Sequence, residues 1–327
     1  MTETLTYKQA ITRAMSDELA SDDSVFVFGE DVGAAGGVFK ATEGLFEEFG
    51  PGRVLDTPIS EQAIVGTAIG AAIQGLRPVA EIMFADFAAV CFDGIVNELA
   101  KYRYMTGGQV TLPVTLRMGA GGAGGGFGAQ HSQAVENWFL NVAGLKLVVP
   151  ATPVDAYCLL RAAIRDPDPV LFFEHKGLYN IKADMPDEMP TVSLGTARVA
   201  RRGNDVTVIA TQAMLQPCLD AATALAVDGV EVEVIDPRTL VPFDLETVVT
   251  SLQRTNRLVV VQEASHAGSW GATLVSSLVQ GQFELFDSAP VIVAAEDTPI
   301  PFAKSLEELW IPSTAKVVEA IRKVVSA

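Results

Sequence analysis

A glutamate that opens a helix just after a short apolar strand can hydrogen-bond a bound heterocycle. The segment Asp56-Thr57-Pro58-Ile59-Ser60-Glu61-Gln62 has that form. Arg53-Val54-Leu55 precedes it as a strand, and Ser60 is placed to cap a helix running from Glu61 towards Gly75. The C-terminal end of a parallel strand, beside a helix start, is where open α/β sheets hold ligands. Taken alone, an acid in a first helical turn also simply complements the helix dipole. A second chemical group follows the glycine run Gly119-Ala120-Gly121-Gly122-Ala123-Gly124-Gly125-Gly126-Phe127-Gly128, which leads into Gln130-His131-Ser132-Gln133. Gly119, Gly121 and Gly124 formally spell G-x-G-x-x-G. A dinucleotide fingerprint would pass into a helix and meet an acid about twenty residues on. Neither feature is present, so the run reads as a loop of close backbone approach that delivers His131. His175, at the end of Leu171-Phe172-Phe173-Glu174, and His266 complete the histidines, and a structural role suits His175 better. Phe84, Phe87 and Phe92 surround Asp86 after a strand, as core aromatics or as a platform for a flat ring.

The elements that must position these groups alternate. A first helix is capped by Thr6, with Gln9 completing a capping box. Apolar runs at 25–28, 54–55, 79–84, 114–118, 145–149 and 170–173 suit parallel strands buried on both faces. Helical intervals at 61–75, 88–101 and 153–164 make them βα units of a doubly wound sheet. The acidic, Pro-punctuated stretch Asp184-Met185-Pro186-Asp187-Glu188-Met189-Pro190 reads as a linker. Strands at 206–210, 230–235, 258–261 and 291–294 then alternate with helices at 214–227, 244–252 and 271–280. The expected layout is therefore α/β throughout: a domain over 1–183, a linker at 184–193 and a smaller domain over 194–327.

Composition removes several function classes. Apolar residues make up 49% and charged residues only 19%, which favours extensive burial over disorder. The longest apolar stretches are too short for a membrane span. A formal net charge of −17 without basic clusters argues against nucleic acid. Cys91, Cys158 and Cys218 lie far apart, each in an expected helix, with no metal or disulfide spacing. Met1-Thr2-Glu3-Thr4 lacks a basic region followed by an apolar one, so a cytoplasmic protein is expected. No P-loop, nucleophile-elbow or zinc-protease motif occurs.

A longer series of motifs runs in order along the chain: Gly29-Glu30-Asp31-Val32-Gly33, Asp56-Thr57-Pro58-Ile59-Ser60-Glu61, Gly75-Leu76-Arg77-Pro78-Val79-Ala80-Glu81-Ile82, and Phe92-Asp93 with Asn97-Glu98. Ala100-Lys101-Tyr102-Arg103-Tyr104, Gly107-Gly108-Gln109, Gln130-His131-Ser132-Gln133, Gly144-Leu145-Lys146 and Pro150-Ala151-Thr152-Pro153 continue it. Ala163-Ile164-Arg165-Asp166-Pro167-Asp168-Pro169 and Asp236-Pro237-Arg238-Thr239-Leu240 complete it. This series resembles the β subunit of the thiamine-diphosphate-dependent, decarboxylating component of 2-oxo acid dehydrogenase complexes, over essentially the whole chain.

The resemblance implies a pyrimidine-binding domain followed by a transketolase-type C-terminal domain. It implies that Glu61 hydrogen-bonds the aminopyrimidine ring nitrogen of thiamine diphosphate and so favours its imino tautomer, as a buried carboxylate with a raised pKa. Glu30, Ile59 and Phe87 join it as cofactor-binding residues, Phe87 by stacking, and His131 is implied as an active-site histidine. Ala163, Asp166 and Asp168 fall where some members bind potassium through backbone carbonyls. The chain has no Gly-Asp-Gly, the usual start of the magnesium site, so an α subunit is implied to hold the diphosphate and metal half. Family members form heterotetramers of two α and two β chains and pass an acyl group to a lipoyl acyltransferase. Phe87 leans towards pyruvate or acetoin as substrate. The alternatives are a branched-chain β subunit, half of a split transketolase-type enzyme, and a nucleotide-binding module without activity.

Overall fold

The computed structural model describes residues 3–122 and 124–326. The chain divides into two compact units: residues through Ala120 with Trp138–Leu194, and Gly121–Asn137 with Gly195 onward. From Gly121 the glycine run, and His131 after it, group with the second unit, inside the range 1–183 that the sequence assigns to a first domain.

In the first unit the apolar runs become strands. In chain order the elements are β1 (Thr4–Thr6), α1 (Tyr7–Ser21), β2 (Val25–Gly29), α2 (Leu45–Phe49), β3 (Val54–Asp56), α3 (Glu61–Ile73), β4 (Arg77–Ile82) and α4 (Tyr102–Met105). They continue with β5 (Thr115–Ala120), β6 (Lys146–Val148), α5 (Pro153–Arg165), β7 (Val170–His175) and β8 (Lys182–Asp184). The sheet runs β6-β7-β5-β4-β2-β3 with every pairing parallel. Val79, Leu116, Leu171 and Phe172 are fully buried, as strands covered on both faces require. β1 pairs antiparallel with β8. Asp184, which opens the acidic linker stretch, is therefore the last residue of a strand, and Met185 is buried.

Local chemistry explains most element boundaries. The capping box of Thr6 and Gln9 is formed at the start of α1. The helix packs on α5, where the carboxylate of buried Glu18 accepts from Arg161 and Arg165. Ser60 occupies the N-cap position of α3, but its side chain makes no capping bond, contrary to the sequence reading. The single helix expected at 88–101 is broken. A 3-10 turn (Ala85–Ala89) and a π-helical turn (Gly94–Leu99) precede the short α4, and Cys91 lies in a turn between them. Packing supplies a reason for the glycine in the π turn: a Cβ on Gly94 would lie 3.1 Å from Val65 Cγ1 of α3. Extended π hydrogen bonding of this kind recurs at functional sites.

The second unit contains β9 (Arg198–Arg201), β10 (Val206–Ala210), α6 (Leu215–Ala226), β11 (Val232–Asp236), β12 (Thr239–Val241), α7 (Leu245–Thr255) and β13 (Leu258–Ser265). It closes with α8 (Trp270–Gly281), β14 (Val291–Ala295), α9 (Lys304–Trp310) and α10 (Thr314–Val325). Its five-stranded sheet has the order β14-β13-β10-β11-β9, parallel except for β9. Among the described residues, no helix is long and apolar enough to cross a membrane.

Candidate active site

The carboxyl ends of the first unit's strands carry most of the residues singled out from the sequence. Glu30 follows β2, the Asp56-to-Glu61 segment joins β3 to α3, and Phe84 and Phe87 follow β4. The turn after β2 is wound around Asp56: Gly33 N–H donates to Asp56 Oδ1 at 2.6 Å. A Cβ on Gly33 would fall 2.6 Å from the same carboxylate, so glycine lets the turn close on Asp56 without displacing it. Thr57 N–H then donates to the Gly29 carbonyl at 2.9 Å, tying the end of β2 to the approach of α3.

This wrapping brings two acids within electrostatic range. Burial, with the like charges of Asp31 and Glu61, raises the Glu30 carboxyl above its ordinary range. Glu61 is half-buried at the first turn of α3, less enclosed than the buried carboxylate the resemblance implies. The Cys91 thiol is pushed up to about 12 by burial and by the charge of Glu61. It is therefore a protonated packing group beside the acids and not a nucleophile.

Aromatic rings wall the same region. Phe84 and Phe87 meet edge to face with centroids 5.5 Å apart, and Phe39 meets Phe84 in the same manner. Phe87 is half-buried and keeps accessible surface. Phe92 packs on Phe139 at 5.5 Å, so it belongs to a different cluster. Ile59 is 75% exposed. The Thr57 hydroxyl is buried without a hydrogen-bond partner. Two coupled acids, a partly open ring and an orphaned hydroxyl suit one end of a flat nitrogen heterocycle. Among the described residues, no group of three or more histidine, cysteine, aspartate or glutamate side chains could hold a metal.

A buried charge that no motif announces organises the centre of this sheet. Arg117, in the middle of an otherwise apolar strand, is fully buried. Its Nε and Nη2 donate to Glu174 at 2.6 and 3.0 Å, and its Nη1 to Glu81 at 2.9 Å. A lone arginine inside an apolar run was the available signal, because such a cation requires buried carboxylates. His175 is buried at the end of β7, where its Nδ1 accepts from Gly177 N–H at 3.1 Å, a structural role. His266 lies exposed.

His131 sits half-buried in the second unit, at the end of a 3-10 turn (Gly128–Gln130) of the glycine loop. Ala123 of that loop lies outside the described residues. The Ala163-to-Asp168 turn is rich in cations of the chain's own. Lys146 Nζ donates to both Asp166 oxygens at 2.6 and 2.7 Å, and Arg103 pairs with Asp168. Arg77 donates to the carbonyls of Ile164 and Asp166 at 3.0 and 3.4 Å.

Comparisons with known proteins identify both parts of the chain. Residues 3–182 match the transketolase pyrimidine-binding domain, and residues 195–317 the transketolase C-terminal domain. A solved structure titled a split gene transketolase, an inactive β4 tetramer, superposes with a TM-score of 0.78 at 25% identity, covering 98% of each chain. The matched domains define a transketolase-type α/β protein.

The chain belongs to the family of β subunits of 2-oxo acid dehydrogenase first components. It is 43% identical to the acetoin:2,6-dichlorophenolindophenol oxidoreductase subunit beta of Bacillus subtilis, over 97% of this chain and 96% of that one. Identity is 44% with the protein of that name from Cupriavidus necator, over 99% and 98% of the two chains. It is 42% with the pyruvate dehydrogenase E1 component subunit beta of Rickettsia felis, over 98% of each chain.

Proposed function

We propose that this chain supplies the pyrimidine half of a thiamine diphosphate site in a first component that cleaves pyruvate or acetoin and passes the acyl group to a lipoyl acyltransferase. The observation that carries this reading is the coupling of Glu30 to Glu61 at the carboxyl edge of the sheet, where α3 begins. Thiamine diphosphate, when bound, supplies an electron sink for the carbanion left by carbon–carbon cleavage. The chain's own part is proton management. Glu61 hydrogen-bonds the pyrimidine ring nitrogen and shares its proton, and Glu30, whose carboxyl is raised by burial and by the charges of Asp31 and Glu61, lies within its electrostatic range. Phe87 offers a ring face for stacking, and exposed Ile59 an apolar contact. His131 donates or orients a proton at the substrate.

Magnesium and the diphosphate belong to an α subunit in this reading, in a heterotetramer of two α and two β chains. Large apolar side chains left in water support extensive subunit contacts: Ile59, Val90, Tyr104 and Met105 in the first unit, and Phe302 and Leu309 in the second. Potassium is assigned to the carbonyls of Ala163, Asp166 and Asp168, of which that of Ala163 also accepts from Asp166 N–H at 3.2 Å and that of Asp166 from Arg77 at 3.4 Å. The domain division is proposed as 1–183 and 194–327 around a short linker. Buried free cysteines accord with a cytoplasmic site of action.

Glu61→Gln, assembled with its α subunit and cofactor, is expected to lose turnover while the heterotetramer stays intact. Near-normal decarboxylation by that variant would sink the assignment. The isolated chain should give no measurable heat with thiamine diphosphate in calorimetry. A substrate panel of pyruvate, acetoin, branched 2-oxo acids and a ketose phosphate then selects among the dehydrogenases and a split transketolase.

A further inference from the structure

We propose that Glu263 is a positioning residue that anchors the glycine loop carrying His131. The inference rests on the reading of His131 as an active-site group, and it concerns how the second unit holds that group in place. Glu263 lies near the end of β13 and is buried, and its Oε1 accepts the N–H of Gly122 at 2.6 Å. On its other side Gly122 is backed by buried Glu307: a Cβ there would fall 2.6 Å from Glu307 Oε1 and 3.1 Å from Ile311 Cδ1. Glycine at this position lets two carboxylate side chains close on one backbone unit.

Further along, the loop is laid over the segment that leads into α9. Gly126 N–H donates to the Phe302 carbonyl at 3.0 Å. Gly125, at φ +93°, is backed so closely on Lys304 that a Cβ would meet its Cα at 2.8 Å. Gly121 N–H donates to the Gln133 carbonyl at 3.2 Å and closes the loop at its base. Beyond His131, Asn137 Oδ1 accepts from Trp270 N–H at 2.8 Å. His131 is therefore held between anchors on both sides, of which the bond to Glu263 is the one a carboxylate makes.

A backbone N–H held by a buried side-chain oxygen is costly to release. Breaking the bond leaves a buried donor unpaired. Another acid lies near it: Glu136 is buried with Oε2 unpaired, and its carboxyl is pushed up to about 7 by burial and by the charge of Glu263. What grips Gly122 is the acceptor oxygen of Glu263, placed 2.6 Å from its N–H.

The test uses the assembled αβ holoenzyme with Glu263→Ala, Glu263→Gln, His131→Ala and the double variant Glu263→Ala/His131→Ala. Turnover and hydrogen exchange over residues 119–137 are measured on each. Glu263→Ala is expected to speed exchange in the loop about tenfold or more. It should lower kcat by about tenfold with a KM change under about threefold, and add nothing on top of His131→Ala. Glu263→Gln, whose amide oxygen still accepts from Gly122, should keep the loop protected and recover most of kcat. Unchanged loop exchange in Glu263→Ala overturns the proposal, as does a loss of kcat that adds fully to that of His131→Ala. If Glu263→Ala fails to assemble, Glu263→Met, similar in length and unable to accept, takes its place with the same expected outcomes. Normal turnover by His131→Ala would remove the assigned role of His131, while loop exchange in Glu263→Ala still decides whether the anchor exists.

Discussion

Each unit buries a cluster of carboxylates, and the two clusters settle their charge by different means. In the first unit Glu81 and Glu174 close on Arg117, and Tyr179 adds a hydroxyl bond to Glu174 at 3.0 Å. Register makes this possible: Glu81 on β4 is the direct partner of Arg117 on β5, and Glu174 lies one alternation beyond Phe172, the partner of Arg117 on β7. Burial works against the Arg117 charge, but Glu174 and Glu81 outweigh it and hold the guanidinium protonated. In the second unit Glu136 has no ion-pair partner among the described residues, and its charge is settled by keeping a proton. One cluster has a buried guanidinium as countercharge, although burial and the charge of Glu174 raise the Glu81 carboxyl against the pull of Arg117. The other titrates near neutrality, beside the loop that carries His131.

The largest expected effect tests the paired cluster. Arg117→Met leaves two buried carboxylates without a countercharge and is expected to destabilise the protein by about 3–5 kcal/mol in denaturant unfolding. A loss within about 1 kcal/mol would erase the contrast with the second unit.

The next tests the proton. Glu136 has a native pKa raised to about 7 from an ordinary 4.5, so the native state binds the proton more tightly than the unfolded chain. Its stabilisation is present at acid pH and is lost as pH rises from about 4.5 through about 7, by roughly 3 kcal/mol on full ionisation. Glu136→Gln should flatten that slope in unfolding curves collected across the range. An unaltered slope would mean that Glu136 is not the titrating group.

The smallest effect on this comparison comes from Tyr179→Phe. It removes one buried hydroxyl bond from the paired cluster and should cost about 1 kcal/mol without changing the pH dependence. A pH-dependent loss would show that the first cluster also stores a proton.

How far these features can be read from the chain depends on how local their causes are. Thr6 and Gln9 cap α1 through neighbours three residues apart, and the box stands as read. Ser60 has the same chemical type at an N-cap position, yet its hydroxyl makes no cap. Accordingly Thr6→Ala should cost about 1 kcal/mol in thermal unfolding and Ser60→Ala within about 0.5 kcal/mol. Equal losses at both sites would contradict the difference in capping. The 88–101 stretch carries helical character but folds as 3-10, π and α turns, with Gly94 seated against Val65 of another helix. Arg117 was hidden in an apolar run because its two partners come from strands 36 and 57 residues away in the chain.

By itself, the amino-acid order determined the alternation of strands and helices, the α/β class, and the short motifs that hold Glu61, Phe87 and His131. Each is written in local periodicity or in a contiguous string of residues, and backbone sterics and apolar burial act at that range. Only the tertiary structure decided that Gly121–Asn137 joins the second unit, that Glu30 and Glu61 share a field, and that Glu263 grips Gly122. Hydrogen bonds and charge coupling depend on distance through space, and folding sets that distance between residues far apart along the chain.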